Sequence, residues 1–258
     1  MENIDLLDKK YIILEKKGRG GSAKVFEVKL IGTDKIYAAK VLKEKDEVQK
    51  NEKTSSEIFD NEINILKYLK NKKNNLFLTN LIDIGIGEVK RKDHPTSFNK
   101  YLILEYAEKS SLFNYIYLTN IGLNEEYSKI IFYKILMGLQ SIHKENICHR
   151  DIKLENILLD ENYNPKLCDF GLSEFNKENL TESVGTVNYA APEILEQKPY
   201  NGFKIDIFSL GITLLTLVTG ATGFSQATSK DFAYFLIKNN LYEQYWNAFG
   251  IKGIGLSE

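Results

Sequence analysis

The densest chemistry in the chain is the segment His149-Arg150-Asp151-Ile152-Lys153-Leu154-Glu155-Asn156, which runs into the apolar Ile157-Leu158-Leu159. A carboxylate at Asp151 can accept a proton, and an ammonium at Lys153 can stabilise negative charge developing beside it. By itself such a run also fits a solvated turn before a strand. A second short strand, Pro165 to Cys168, leads directly into Asp169-Phe170-Gly171. A strand pair ending with Asn156 on one side and Asp169 on the other would bring together oxygen ligands of the kind Mg²⁺ prefers. Ala191-Pro192-Glu193 follows soon after Gly185-Thr186.

Nearer the N-terminus, Gly18-Arg19-Gly20-Gly21-Ser22-Ala23-Lys24-Val25 lies between two predicted strands. Glycines let a backbone approach a phosphate and leave its N–H groups free to donate. A plain glycine-rich hairpin is the other reading. A dinucleotide-binding fingerprint does not fit, because strand rather than helix follows. Tyr37-Ala38-Ala39-Lys40 places a lysine at the end of an apolar strand, where most lysines merely decorate a surface. Glu62 falls on the core-facing side of a predicted helix and needs a partner there. Lys40 is the natural candidate.

These groups must be held by identifiable elements. Tyr11–Glu15, Lys24–Leu30 and Lys35–Leu42 are short and rich in β-branched and aromatic residues, and they predict consecutive antiparallel strands. Lys43–Ser56 is polar and is expected to be a connection. Ile58, Phe59, Ile63, Leu66 and Leu69 then recur at helical spacing. Phe77–Ile86 and Lys100–Tyr106 predict two more strands, with a surface loop from Glu88 to Asn99. Beyond Tyr106 the pattern turns mainly helical. Asn124 before Glu125 and Glu126 marks a helix start, with Tyr127, Ile130, Ile131, Leu136, Leu139 and Ile142 along one face. Strands followed by helices make an α+β order of elements.

The chain has 258 residues with 43% hydrophobic and 27% charged, which suits one large domain or two small lobes. A formal net charge of −1 gives no reason to expect nucleic acid or an anionic membrane as partner. The N-terminal residues are charged, against a secretory signal. The longest apolar run, Ile207 to Val218, is too short to span a bilayer and predicts a buried helix. Two cysteines, Cys148 and Cys168, form no disulfide framework, so a reducing compartment is expected, the cytosol by default with the nucleus left open.

With these motifs in this order, the chain resembles a eukaryotic-type protein kinase from Tyr11 to about Trp246. Lys153 and Thr186 resemble the serine/threonine branch, nearer the calcium/calmodulin-dependent and AMP-activated groups than tyrosine kinases. The resemblance implies a bilobal fold. Residues 1–105 would form an ATP-binding lobe of antiparallel sheet with one main helix. Residues 106–258 would form a mainly helical lobe with the catalytic loop and activation segment. It implies ATP and Mg²⁺ as cofactors and protein serine or threonine hydroxyls as acceptors. Gly18, Arg19, Gly20, Gly21 and Ser22 would cover the phosphates. Lys40, held by Glu62, would contact them, and Asn156 and Asp169 would bind Mg²⁺. Asp151 would take the hydroxyl proton and Lys153 would stabilise the moving phosphoryl group. Val25, Ala38 and Leu158 match positions that sandwich adenine, and Glu105 and Ala107 match its backbone partners, with Leu104 as gatekeeper. Leu66, Leu81, His149 and Phe170 match an apolar stack, and Asp206 matches a brace for the His149–Asp151 turn.

The departures from the family pattern are equally specific. Ala23 stands where a third glycine is usual, and Phe208 where tryptophan is common. Glu182 stands where relatives carry a phosphorylated residue facing Arg150, so it either mimics that phosphate in part or is a solvated glutamate, with Thr181 and Ser183 as phosphosite candidates. No arginine follows Arg150, so Glu193 lacks its family partner, and the family's final helices are expected to be missing. A non-catalytic pseudokinase acting as a nucleotide-binding or scaffold module is the alternative; Lys40, Asp151, Asn156 and Asp169 all being present argues against it.

Overall fold

A computed structural model describes residues 5–43, 54–72, 76–92, 94–119 and 121–248. They form two compact units: Met1–Asn75 with Thr79–Glu108, and Leu76–Leu78 with Lys109–Glu258.

In the first unit six strands close into an antiparallel barrel. They are β1 (Leu6–Leu7), β2 (Tyr11–Arg19), β3 (Ala23–Leu30), β4 (Ile36–Leu42), β5 (Leu81–Lys90) and β6 (Ser97–Glu105), in the order β1-β2-β3-β4-β6-β5. Closure depends on β1, where Leu6 pairs with Ile12 on one side and Lys90 on the other. Two residues carry no period, so no sequence pattern announces β1. Alternate side chains fill the interior, among them Tyr11, Ile13, Phe26, Val28, Ala39, Val41, Val89, Tyr101 and Ile103. The same alternation sends Val25, Ala38 and Lys40 to the opposite face of β3 and β4.

Helix α1 (Ser55–Lys70) starts at Thr54, whose hydroxyl accepts from the Glu57 N–H while the Glu57 carboxylate accepts from the Thr54 N–H. Ser55 and Ser56 are therefore helical, not part of the polar connection, and residues 44–53 of that connection lie outside the described residues. The strand expected over Phe77–Ile86 instead runs Leu81–Lys90, and the expected loop from Glu88 narrows because β6 already begins at Ser97. Phe77 and Leu78 belong to the second unit, where the Leu167 N–H donates to the Phe77 carbonyl at 2.8 Å.

The second unit contains α2 (Leu112–Thr119), α3 (Glu125–Lys144), β7 (Ile157–Leu159), β8 (Pro165–Leu167), α4 (Pro192–Leu195), α5 (Gly202–Thr219), α6 (Phe232–Lys238) and α7 (Tyr242–Ala248). Asn124 caps α3, its Oδ1 accepting from the Tyr127 N–H at 2.9 Å. The buried face of α3 matches the expected one only in its second half, at Leu139 and Ile142. It consists of Ser128, Ile135, Gly138, Leu139 and Ile142, whereas Tyr127 and Ile130 are 62% and 45% exposed. Two small residues, Ser128 and Gly138, share this face with the large apolar Ile135, Leu139 and Ile142. A Cβ on Gly138 would stand 3.0 Å from the Phe77 carbonyl, so glycine permits the close approach. The run Ile207–Val218 lies inside the 18-residue α5, which by length and composition alone is long enough to cross a membrane. That corrects the reading of the run as too short. Its burial around Ile205, Asp206, Leu210, Ile212 and Leu217 fits a core helix. Phe208 fills the tryptophan position and packs with Phe224, ring centroids 6.4 Å apart.

Candidate active site

In the first unit, Lys40 and Glu62 meet as predicted. Lys40 is the β4 partner of Val25 on β3, and its Nζ donates to Glu62 Oε2 at 2.5 Å. The Glu62 side chain is 1% exposed and the Lys40 side chain 11%, so the pair is shielded from solvent. α1 delivers the carboxylate on the face that also buries Phe59, Ile63 and Leu66. Ala38 sits two residues before Lys40 on the same face of the strand, opposite Glu27.

The glycine-rich segment is the β2–β3 connection. Arg19 ends β2, Gly20 donates its N–H to the Ala23 carbonyl at 2.9 Å, and Gly21 and Ser22 form the tip. A Cβ at Gly18 or Gly21 would meet nothing within 4 Å. Neither glycine is demanded by packing, which leaves their backbone open to close approach by a ligand. Ala23 is 1% exposed and pairs with Leu42, so its methyl is absorbed into the sheet. At the end of β6 the Glu105 N–H is committed to the Asn80 carbonyl at 2.9 Å, with Ala107 just beyond.

In the second unit the segment His149–Asn156 is a turn pinned from below. Asp206 on α5 is 1% exposed and accepts from the His149 N–H and the Arg150 N–H, each at 2.8 Å. Its Oδ2 also lies 2.8 Å from His143 Nε2 at the end of α3. The brace read at Asp206 is thus present, and His143, which the sequence reading passed over, shares it. Arg150 sits at φ +64° and Asp169 at φ +63°, left-handed conformations that need such support in residues with a side chain.

Both carboxylate oxygens of Asp151 are occupied. Lys153 Nζ lies 2.8 Å from Oδ2, Asn156 Nδ2 donates to Oδ2 at 3.0 Å, and Thr186 Oγ donates to Oδ1 at 2.8 Å. Thr186 Oγ also accepts from Lys153 Nζ at 2.6 Å. Thr186 reaches this place because Gly185 takes φ +97° beside the Arg150 carbonyl, where a Cβ would stand 2.7 Å from that oxygen. With its Nδ2 committed to Asp151, Asn156 turns its amide oxygen away from that carboxylate. The Cys168 N–H donates to the Asn156 carbonyl at 3.0 Å, which ties the start of the Asp169 turn to Asn156. Asn156 and Asp169 offer hard oxygen donors. No group of three or more His, Cys, Asp and Glu suited to a metal occurs among the described residues. A donor set of this size fits Mg²⁺, which keeps its other positions for phosphate and water oxygens. Leu158 is half-buried on β7, and the His149 and Phe170 rings lie 5.2 Å apart.

The Arg150 side chain is fully buried, and its Nη1 lies 2.8 Å from Glu182 Oε2. Its Nε donates to the Leu172 carbonyl at 2.6 Å. Tyr200 completes the clasp: its hydroxyl donates to the Glu182 carbonyl at 2.8 Å and accepts from Arg150 at 3.3 Å. Tyr200 was not foreseen, and no local pattern marks a tyrosine 50 residues from its partner. Glu193 is half-buried, and its negative charge adds to burial in raising the Tyr234 phenol above its ordinary pKa.

A barrel bearing a buried lysine–glutamate pair and a helical unit bearing an aspartate–lysine–asparagine turn together define a kinase-like fold. The chain belongs to the protein kinase family, whose domain model matches residues 11–248. It is 43% identical over 134 residues to "Serine/threonine-protein kinase GIN4" of Saccharomyces cerevisiae, covering 51% of this chain and 12% of that protein. It is 36% identical over 212 residues to "Probable serine/threonine-protein kinase MARK-B" of Dictyostelium discoideum, covering 81% of this chain and 27% of that one. The chain spans about an eighth to a quarter of the length of these relatives.

Proposed function

We propose that the chain transfers the γ-phosphoryl group of ATP to serine or threonine hydroxyls of proteins. The observation that carries this reading is the hydroxyl of Thr186 resting 2.8 Å from Asp151 Oδ1, beside Lys153. A carboxylate that already accepts an aliphatic O–H in this geometry is placed to orient an acceptor hydroxyl and take its proton.

Mg²⁺-ATP, when bound, supplies the phosphoryl group and a cation that neutralises phosphate charge. In this reading the backbone of Gly18, Arg19, Gly20, Gly21 and Ser22 would cover the phosphate oxygens, with the Gly20 N–H kept by the Ala23 carbonyl to shape the turn. Lys40 is oriented by Glu62 and would donate to the same region. Val25, Ala38 and Leu158 supply apolar contact for the base, and Glu105 and Ala107 supply main-chain polar groups. Asn156 and Asp169 would hold the cation. Asp151 keeps the acceptor proton, while Lys153 offsets charge on the transferred group. Two cysteines outside any disulfide, Cys148 and Cys168, suit a reducing compartment such as the cytosol.

Phosphate transfer from labelled ATP to a generic protein substrate tests the reading against Asp151→Asn. The variant keeps the shape but loses the base, and transfer should fall by about 10²–10⁴-fold. Equal labelling by both proteins would instead support the non-catalytic alternative.

A further inference from the structure

A second concavity lies within the first unit, at one mouth of the barrel. It has a volume of about 140 Å³. At roughly 30 Å³ per water, that is room for a phosphate group and the first atoms of its carrier. Its floor is Phe26, Val41 and Val89, members of the barrel core. Its rim carries Lys24, Lys43, Arg91 and His94, and no carboxylate lines it among the described residues.

The cations converge on the pocket from the ends of three strands: Lys24 at the start of β3, Lys43 just after β4 and Arg91 just after β5. The Arg91 guanidinium lies over the Phe26 ring, 5.2 Å from its centroid, which fixes the plane of the fork. Arg91 Nε is buried and has no hydrogen-bond partner among the described residues. Asp5 offsets this guanidinium through a long ion pair, its Oδ2 3.8 Å from Nε, while its Oδ1 accepts from the Lys92 N–H at 2.6 Å. Lys24 and His94 make no side-chain hydrogen bond or ion pair among the described residues. Lys43 Nζ donates to the Gly21 carbonyl at 2.6 Å, and its N–H donates to the Ser22 carbonyl at 3.1 Å.

The geometry points to a receptor for a phosphate monoester, linked through Lys43 to the glycine-rich segment. A carboxylate ligand carries one charge and two oxygens, too few to match the two permanent charges left once Asp5 offsets one of the three cations. A phosphate ester carries close to two charges and three acceptor oxygens. A nucleic acid fits poorly, because the pocket is small and the chain carries a net charge of −1. An anion drawing Lys43 toward itself competes with the Gly21 carbonyl for the same ammonium, so occupancy alters the support of the β2–β3 tip. Only this last link rests on the proposed ATP-binding role; the pocket's affinity for phosphate does not.

The experiment is a direct binding titration of the full chain at low salt. The ligands are a fluorescent phosphoserine peptide, its unphosphorylated counterpart and, by competition, inorganic phosphate. Lys24→Gln and Arg91→Gln, singly and together, are checked for folding by thermal melting. The phosphorylated peptide should bind at least tenfold more tightly than the plain one, and the double variant should lose at least tenfold with its melt retained. Competition by inorganic phosphate at equal strength identifies a small phosphate ester as the ligand, and much weaker competition identifies a phosphorylated protein segment. No preference for the phosphorylated peptide, or equal binding by the folded variants, overturns the receptor. A fluorescent ADP analogue whose affinity is the same with and without bound phosphopeptide overturns the link through Lys43.

Discussion

Removing the carboxylate of Asp206 offers the sharpest test of how the catalytic turn is held. Two main-chain N–H groups, of His149 and Arg150, end on that one side chain at 2.8 Å each, and it is 1% exposed. Hydrogen bonds to a charged acceptor contribute about 1.5–3 kcal/mol each, and a buried donor left unpaired costs about 1–3 kcal/mol. Asp206→Ala strands both donors and the His143 contact, so the second unit should lose roughly 3–5 kcal/mol. That is a large part of an ordinary domain's total of about 5–15 kcal/mol. Asp206→Asn keeps one acceptor oxygen and should lose about half as much. The chain has a single tryptophan, Trp246, which packs against Tyr245 with ring centroids 4.9 Å apart in the same unit. Urea titration followed by its fluorescence therefore reads the unit that contains Asp206. Phosphate transfer should fall with both variants, because the φ +64° conformation of Arg150 is no longer imposed. An Asp206→Ala midpoint that implies less than about 1 kcal/mol of destabilisation would refute the accounting, since two stranded donors alone exceed it.

Lys40→Ala leaves the Glu62 carboxylate buried without its ammonium and should cost about 3–5 kcal/mol, read as a lower thermal midpoint; Glu62→Gln should cost less while also lowering phosphate transfer. Glu182→Ala removes the carboxylate from a fully buried guanidinium and should lower transfer by unphosphorylated protein several-fold, whereas activity equal to wild type would show that the clasp does not matter. Burial pushes the Cys148 thiol up to about 12, so it stays protonated in the folded state long after the unfolded thiol has ionised at about 8.5. The folded state then holds more protons, and that contribution to stability is intact below about pH 8.5 and declines as pH rises toward 12, measurable by denaturant titration in that window. Mass spectrometry after brief alkylation at pH 8 should find Cys148 unmodified until the protein is unfolded.

The parts of the site that chemistry alone could pair were legible. Glu62 on an apolar helix face demanded a cation, and Lys40 on an apolar strand was the one available; the structure puts them 2.5 Å apart. The β7–β8 pair likewise followed from two short apolar runs with turn residues between them. Contacts made by the backbone or across long separations were not legible. β1 is two residues long and defined only by its pairing, and Phe77 is drawn from its expected strand by a main-chain bond to Leu167. The buried face of α3 was legible at Leu139 and Ile142 but not at Ser128 and Gly138, because an apolarity pattern cannot see small residues that allow close approach. His143 and Tyr200 sit 63 and 18 residues from Asp206 and Glu182, and nothing local ties either pair together.

The three residues Leu76–Leu78 have a consequence for inheritance. They are read early in the chain but belong with Lys109–Glu258, since Leu78 bridges to Leu167 and Phe77 lies over Gly138. A recombinant that exchanges the helical half with a relative at residue 109 would separate a glycine from the backbone it was shaped to admit. Exchanges that carry residues 76–78 along with the helical half should fold; those that split them should accumulate compensating changes at Gly138 or Leu167 under selection.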